Sequence, residues 1–247
     1  MDRLYGRRPV LEALRARRRS FHRLFIIEGE PPSGPLAEAL ALAQTLGVKA
    51  VPASRGQLDS LTQGANHQGV LLEAGPYPYV EIDDLLNSAA ARGEPPFLLF
   101  LDLLQDVQNV GTLLRTAEAV GVHGVILQER RAASITPAVV SASSGAVEHL
   151  LVAQVTNLVS AMKWAQGHDI WLAGLDMGAD AIRYDQADLK DALGLVIGSE
   201  GQGLRRLVRE TCDFIVRLPM RGRVESLNAA VAGSVVLYAA WAARGMP

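Results

Sequence analysis

The sequence predicts an α/β protein: a small N-terminal α/β unit, then a larger parallel sheet covered by helices on both faces. Three observations carry this prediction. From Phe97 onward, continuous apolar runs of strand length alternate with helical stretches, the pattern of parallel strands buried on both sides. Two Pro/Gly clusters, Gly75-Pro76-Tyr77-Pro78-Tyr79 and Arg92-Gly93-Glu94-Pro95-Pro96, set this region apart from the first 75 residues. A chain of 247 residues that is 49% hydrophobic is long enough for one large or two modest cores. The expected organisation is an N-terminal domain over 1–75, a linker over 76–96 and a second domain over 97–247.

Element by element, residues 6–16 read as a short helix, with Pro9 near its start and Val10, Leu11 and Leu14 apolar. Leu24–Ile27 reads as a strand, Pro35–Leu46 as a helix ending at Gly47, and Val48–Val51 and Gly69–Glu73 as two further strands. In the second region the strands are Phe97–Leu101, Gly124–Leu127, Ile170–Ala173, Leu193–Ile197 and Phe214–Leu218. Helices are expected near 110–120, 156–166, 203–210 and 226–243.

Composition excludes several classes. A net charge of −2 is not that of a uniform polycation, and the apolar content is too high for disorder. A single cysteine, Cys212, rules out an intramolecular disulfide framework and, with five scattered histidines, argues against a Cys/His metal site. The N-terminus shows no apolar signal stretch. The longest nearly apolar run, Ala229 to Ala243, is too short to cross a bilayer and reads as a buried helix. A cytoplasmic protein without membrane contact or bound metal is expected.

Charge is unevenly placed. Of 24 basic residues only Lys49, Lys163 and Lys190 are lysines. The first 25 residues hold Arg3, Arg7, Arg8, Arg15, Arg17, Arg18, Arg19 and Arg23 against Asp2 and Glu12. A second cluster, Arg205, Arg206, Arg209, Arg217, Arg221 and Arg223, faces only Glu210 and Asp213. Guanidinium forks suit phosphates, so two such clusters point towards a nucleic-acid surface, whereas one run alone is commonly a solvated face.

Three loops follow predicted strands, where ligands of a parallel sheet sit. In the first, Asn109 stands where it can cap the next helix and Arg115 lies one to two turns further on. The second, Gly198-Ser199-Glu200-Gly201-Gln202-Gly203, permits close backbone approach. It has neither the dinucleotide-binding glycine spacing nor a Walker ending, and Glu200 would repel a phosphate. The third runs from Leu218-Pro219-Met220 through a basic turn to Ser226-Leu227-Asn228, with Ser226 as a candidate cap for an Ala-rich helix.

In this order and spacing, Asp106…Asn109…Gly111…Arg115…Ala117, Gly198…Glu200…Gly203 and Leu218-Pro219-Met220…Ser226-Leu227-Asn228…Ala232 resemble the motifs of the SpoU (TrmH) family of SPOUT RNA methyltransferases. Tyr5-Gly6, His67-Gln68-Gly69, Ser144-Gly145-Ala146 and Val155-Thr156-Asn157-Leu158 extend the resemblance over nearly the whole chain, the last two fitting the catalytic domain. Val107 departs from the family's usual proline and leaves the first loop less rigid. The resemblance implies a parallel sheet with a deep C-terminal trefoil knot at about 195–235, preceded by a ribosomal-protein-like (L30e-like) RNA-binding domain. It implies S-adenosylmethionine as cofactor, bound by Gly198, Leu218 and Leu227 with support from Ser226 and Gly174. It also implies catalysis by Arg115 with Asn109, Glu200 and Asn228. RNA would be held by Arg7, Arg8, Arg15, Arg17, Arg18 and Arg19, and the chain would form a homodimer. Similarity is closest to the RlmB subgroup, which methylates a guanosine ribose 2′-oxygen in the peptidyl-transferase P loop of 23S rRNA, either naked or in a large-subunit assembly intermediate. The other readings are a tRNA guanosine or different rRNA target, an RNA-binding protein with a degenerate knot, and a nucleotide-dependent oxidoreductase.

Overall fold

The structure, a computed structural model, describes residues 1–29, 31–223 and 226–245. Val224 and Glu225 of the third loop lie outside the described residues. In chain order the elements begin β1 Asp2–Tyr5, α1 Arg7–Ala16, β2 Phe21–Ile27, α2 Pro35–Thr45, β3 Lys49–Ala53, α3 Arg55–Thr62, β4 Val70–Ala74, α4 Ile82–Arg92, β5 Phe97–Leu101 and α5 Val107–Ala119. They continue β6 Gly124–Gln128, α6 Pro137–Ala142, β7 Val152–Val155, α7 Leu158–Gln166, β8 Trp171–Leu175, β9 Ile182–Arg183, β10 Leu193–Ile197, α8 Arg206–Thr211, β11 Phe214–Arg217 and α9 Ala229–Ala243.

These elements form two compact units. The first comprises Met1–Pro78 and Ile135–His149. Its sheet has the order β1-β4-β2-β3, with β4 antiparallel to both β1 and β2, and β3 parallel to β2. Strand β1 was not legible in the sequence because Asp2-Arg3-Leu4-Tyr5 carries only one fully buried side chain, Leu4. The capping box of Ser54 and Gln57 starts α3, also unforeseen.

Expectation and structure part at three places here. Residues 135–149 lie within the second predicted domain, and Ser144-Gly145-Ala146 matched its motifs, yet they pack into the first unit. The 76–96 stretch is more than connecting chain: Tyr77 is buried and donates from its hydroxyl to the Val147 carbonyl at 3.1 Å, while α4, the short helical stretch expected between the two Pro/Gly clusters, packs in the second unit through buried Leu85. Burial pushes the Tyr77 phenol up to about 12. Finally, Arg19 is no phosphate contact. Its side chain is fully buried; it bonds Glu148 at 2.9 and 2.7 Å, Asp2 at 2.7 Å and the Gly75 carbonyl at 3.1 Å. Arg18 is likewise turned inward, donating to the Tyr77 hydroxyl and the Glu148 and Pro78 carbonyls at 3.3 Å. In a run of three arginines nothing local distinguishes these two from Arg17; the distinction comes from Glu148, far along the chain.

The second unit is an all-parallel sheet of order β7-β6-β5-β10-β8-β11-β9. On one face Leu98, Phe100, Ile126, Leu172 and Val196 share a core with Leu85 of α4, Met162 of α7 and Val208 of α8. On the other lie α5 and α9, drawn close by Gly233: a Cβ there would come within 2.4 Å of Ile197 and 2.7 Å of Leu113. Thr116 and Ser234 hydroxyls bond across this helix pair at 2.9 Å. Strand β10 inserts between β5 and β8 although it follows both, so the strand order reverses beside β5. At such a reversal the loops leaving the carboxyl ends of adjacent strands splay apart and leave a crevice.

Candidate functional site

The three loops meet at this crevice. Leaving β5, the chain reaches Asp106, whose carboxylate caps α5 by accepting the Asn109 amide at 2.8 Å. The cap is therefore Asp106, not Asn109, and this releases the Asn109 side chain for longer-range contacts. At the third loop the cap of α9 is Asn228 rather than Ser226: its Oδ1 accepts from the amides of Ala230 at 2.9 Å and Val231 at 3.2 Å. Its Nδ2 donates to Asn109 Oδ1 at 2.8 Å, and Asn109 Nδ2 donates to Glu200 Oε1 at 2.5 Å. One directed relay thus joins Asn228, Asn109 and Glu200, one residue from each loop, with the carboxylate as final acceptor.

The glycine loop closes on itself. The Gly203 amide donates to the Ser199 carbonyl at 3.1 Å, and a Cβ on Gly198 would fall 2.2 Å from the Gly203 carbonyl carbon and oxygen. Two further acids, missed in the sequence, stand beside it, and the first fixes its far end. Asp102, a buried acid following β5, accepts the Arg205 amide at 3.0 Å and the Arg205 Nε at 2.7 Å. Arg205 also donates to Gln128 Oε1 at 2.8 Å. Asp176, just beyond β8, accepts the Met177 amide at 2.7 Å and pairs with Arg209 at 3.4 Å. Arg209 holds the Asp180 carboxyl below its ordinary range by hydrogen bonding at 2.5 Å. A signal existed for both acids: each is the first polar residue after an apolar strand.

These loops enclose a cavity of about 660 Å³ lined by Leu175, Asp176 and Met177, the 197–203 segment, Leu218, Met220, Ser226–Ala229 and Ala232. Gly198, Leu218, Ser226 and Leu227, predicted as cofactor contacts, all line it, as do Glu200 and Asn228. Gly174 does not. It lies within β8, where a Cβ would meet Cys212, Leu204 and Ile215 within 2.9 Å, so its smallness serves core packing. Burial there pushes the Cys212 thiol up to about 12. Arg115 is exposed on α5 and is not part of the lining. Six residues of helix place it about 9 Å along the axis and about 120° around from Asn109.

Apolar Leu175, Ile197, Leu218 and Leu227 suit a flat heterocycle, and the glycine-rich turn brings backbone to the lumen. The carboxylates of Asp176 and Glu200 disfavour a phosphate and suit a cationic ligand. The residues present therefore fit S-adenosylmethionine, a sulfonium with an ammonium group. Among the described residues no cluster of acids, histidines or cysteines is arranged to hold a metal ion, and no helix is long and apolar enough to cross a membrane.

Comparison with known proteins agrees with this geometry. The SpoU rRNA methylase family profile matches residues 96–238, and that of the RNA 2′-O ribose methyltransferase substrate-binding domain matches 3–80. The chain belongs to the SpoU (TrmH) family of RNA methyltransferases. It is 40% identical to Bacillus subtilis YacO, whose name places it among TrmH family tRNA/rRNA methyltransferases, over 98% of this chain and 96% of that one. It is 44% identical to an uncharacterized tRNA/rRNA methyltransferase of Mycobacterium ulcerans, over 94% of this chain and 74% of the other. Among solved structures, the SpoU methyltransferase AviRb of Streptomyces viridochromogenes in complex with AdoMet superposes with a TM-score of 0.81 at 25% identity, covering 98% and 89% of the two chains.

Proposed function

We propose that this protein transfers a methyl group from S-adenosylmethionine to the 2′-oxygen of a guanosine ribose in the peptidyl-transferase P loop of 23S rRNA. The observation that carries the reading is the Asn228–Asn109–Glu200 relay at the rim of a glycine-lined cavity. The match of residues 3–80 to a 2′-O ribose methyltransferase substrate-binding domain supports ribose as the acceptor, and the full-length resemblance to the RlmB subgroup supports the rRNA site. The cofactor is held by Gly198, Leu218, Ser226 and Leu227 within a trefoil knot spanning about 195–235. When bound it supplies an activated methyl group, so the protein's own task is alignment and proton management. Asn109 and Asn228 hold the three loops in register, and Glu200 anchors that arrangement. Arg115 cannot serve as a base because a guanidinium stays protonated; it grips the phosphate beside the target ribose and orients the hydroxyl, whose proton passes to that phosphate or to water. Exposed Arg8 and Arg17, with Arg7, contribute further phosphate contacts in the first unit, whereas Arg15 is engaged by Glu12 at 2.7 Å and Glu38 at 2.5 Å.

A homodimer completes the proposal. Helix α9 leaves Val231, Val235 and Tyr238 exposed at 49%, 39% and 49%, a stripe at helical spacing beside the cavity's Leu227. Sedimentation at micromolar concentration should show a dimer that Tyr238→Glu dissociates; an active wild-type monomer would remove this part of the reading.

The decisive experiment is tritiated methyl transfer to 23S rRNA and to bulk tRNA from a deletion strain, followed by mapping of the 2′-O-methyl group. Arg115→Ala should retain cofactor binding and lose about 100-fold or more in turnover, the cost of a misplaced acceptor. Normal turnover in that variant would refute its role, and methylation of tRNA alone would move the target.

A further inference from the structure

The His67-Gln68-Gly69 motif, which the catalytic reading leaves unused, lies with Arg7 in the first unit around a second cavity of about 360 Å³. It opens between the end of β2, the start of α3 and the loop from α3 to β4. That volume falls in the range of small-ligand sites.

Its wall is built by the motif. His67 is buried; its Nδ1 accepts the Gly69 amide at 3.0 Å, so the ring proton sits on Nε2 and is donated to Asp59 Oδ1 at 3.1 Å. This draws the cavity's acid, Asp59, onto the loop. Gln68 adopts φ +52°, a left-handed conformation unfavourable for a residue with a Cβ. The strained backbone lets its side-chain oxygen accept the Arg7 amide at 3.0 Å while its carbonyl accepts Arg7 Nε, also at 3.0 Å. Gly69, at φ +80°, cannot carry a side chain: a Cβ would meet Ile27 at 2.8 Å. Strain of this kind persists where surrounding structure enforces it and is concentrated at binding sites.

What this loop presents is chemically specific. Arg7 and Arg55 place two guanidinium groups on one cavity, and Arg55 is exposed with no ion pair among the described residues. Asn66, exposed at the same wall, offers an amide donor and acceptor, and Ile27 an apolar surface. Guanidinium forks bind phosphate or stack on bases, and an amide can pair with a base edge. We propose that this cavity is a subsite for one unpaired nucleotide of the RNA, its phosphate on Arg55 and Arg7 and its base against Ile27 and Asn66. In a duplex each base is held by stacking on both faces and by pairing, so none can enter the cavity, and the first unit selects a single-stranded segment. The inference rests on the reading of the chain as an RNA-directed enzyme but concerns binding alone.

The test is fluorescence anisotropy of the full-length protein with a labelled mixed-sequence 12-nucleotide RNA, free or annealed to its complement, and with guanosine monophosphate as competitor. The wild type should prefer the single strand, and Arg55→Ala/Asn66→Ala should weaken that binding about tenfold. Duplex binding, thermal midpoint and S-adenosylmethionine affinity should stay unchanged. Millimolar guanosine monophosphate should displace the labelled single strand from the wild type and not act on the residual binding of the double variant; binding of the nucleotide without displacement of the RNA would assign the cavity to free nucleotide and overturn the RNA assignment. Single-strand binding within twofold of wild type in the double variant, absence of wild-type preference for the single strand, or equal loss of single-strand and duplex binding would each overturn the proposal. Because the readout needs no methyl transfer, it stands or falls separately from the rRNA target: a wild type that binds the single strand yet leaves 23S rRNA unmethylated refutes only the latter.

Discussion

Replacing Arg19 by alanine should destabilise the first unit rather than weaken RNA binding. Arg19 and Glu148 side chains are 0% and 1% exposed and share two hydrogen bonds, with Asp2 and the Gly75 carbonyl completing the guanidinium's contacts. Removing one member of such a buried pair strands the other charge, a loss of about 3–5 kcal/mol. For a unit of this size that lowers the melting midpoint by more than about 10 °C. Burial already holds the Glu148 carboxyl above its ordinary range, with Arg19 pulling it back. Without Arg19 the native carboxyl would take up a proton more readily than the unfolded one, so the defect should shrink in acid and grow as pH rises above about 4.5. Removing both charges in Arg19→Met/Glu148→Met should cost less than Arg19→Ala alone, because no fully buried ion is stranded and only the quarter-exposed Asp2 loses its partner. Amide hydrogen exchange is the assay, since it separates residues 1–78 and 135–149 from the remainder. Unchanged protection in Arg19→Ala, together with weaker RNA binding and a flatter salt dependence, would refute the buried clamp and restore a phosphate contact.

Two further outcomes follow from the second unit. Gly198→Ala should reduce S-adenosylmethionine affinity about 10- to 100-fold by calorimetry, because its Cβ can be accommodated only by displacing the Gly203 backbone; Gly222→Ala, with open space around it, should bind normally. His123 accepts the Phe97 amide on Nδ1 at 3.0 Å, and burial, then Arg92, hold its pKa below the usual value. The unfolded chain therefore binds this proton first, and stability should fall as pH drops below about 6.5 and level off below the native pKa. His123→Asn, which preserves an acceptor, should flatten that part of the urea-midpoint profile.

Much of the fold was legible because its strands are buried on both faces. Phe97–Leu101 and Leu193–Ile197 stand in the structure with the bounds read from their apolar runs. The short edge strands β7 and β9 escaped notice, since Val152–Val155 and Ile182–Arg183 have a strand partner on one side only and need not be apolar throughout. The loops were legible as a set because their glycines, amides and acids recur after strands. Their division of labour was not: Asp106 and Asn228 cap the helices, which frees Asn109 to join three loops.

The sequence by itself determined where the apolar strands and helices lie, that a late glycine-rich loop follows a buried strand, and which residue types surround it. Those are consequences of periodicity and of local backbone freedom. Tertiary structure alone decided which arginines face solvent, why Gly174 is small, and that residues 135–149 complete the first unit. Each depends on a partner distant in the chain. The field and volume around a side chain are set by neighbours in space, so two arginines adjacent in sequence can differ completely in what they do.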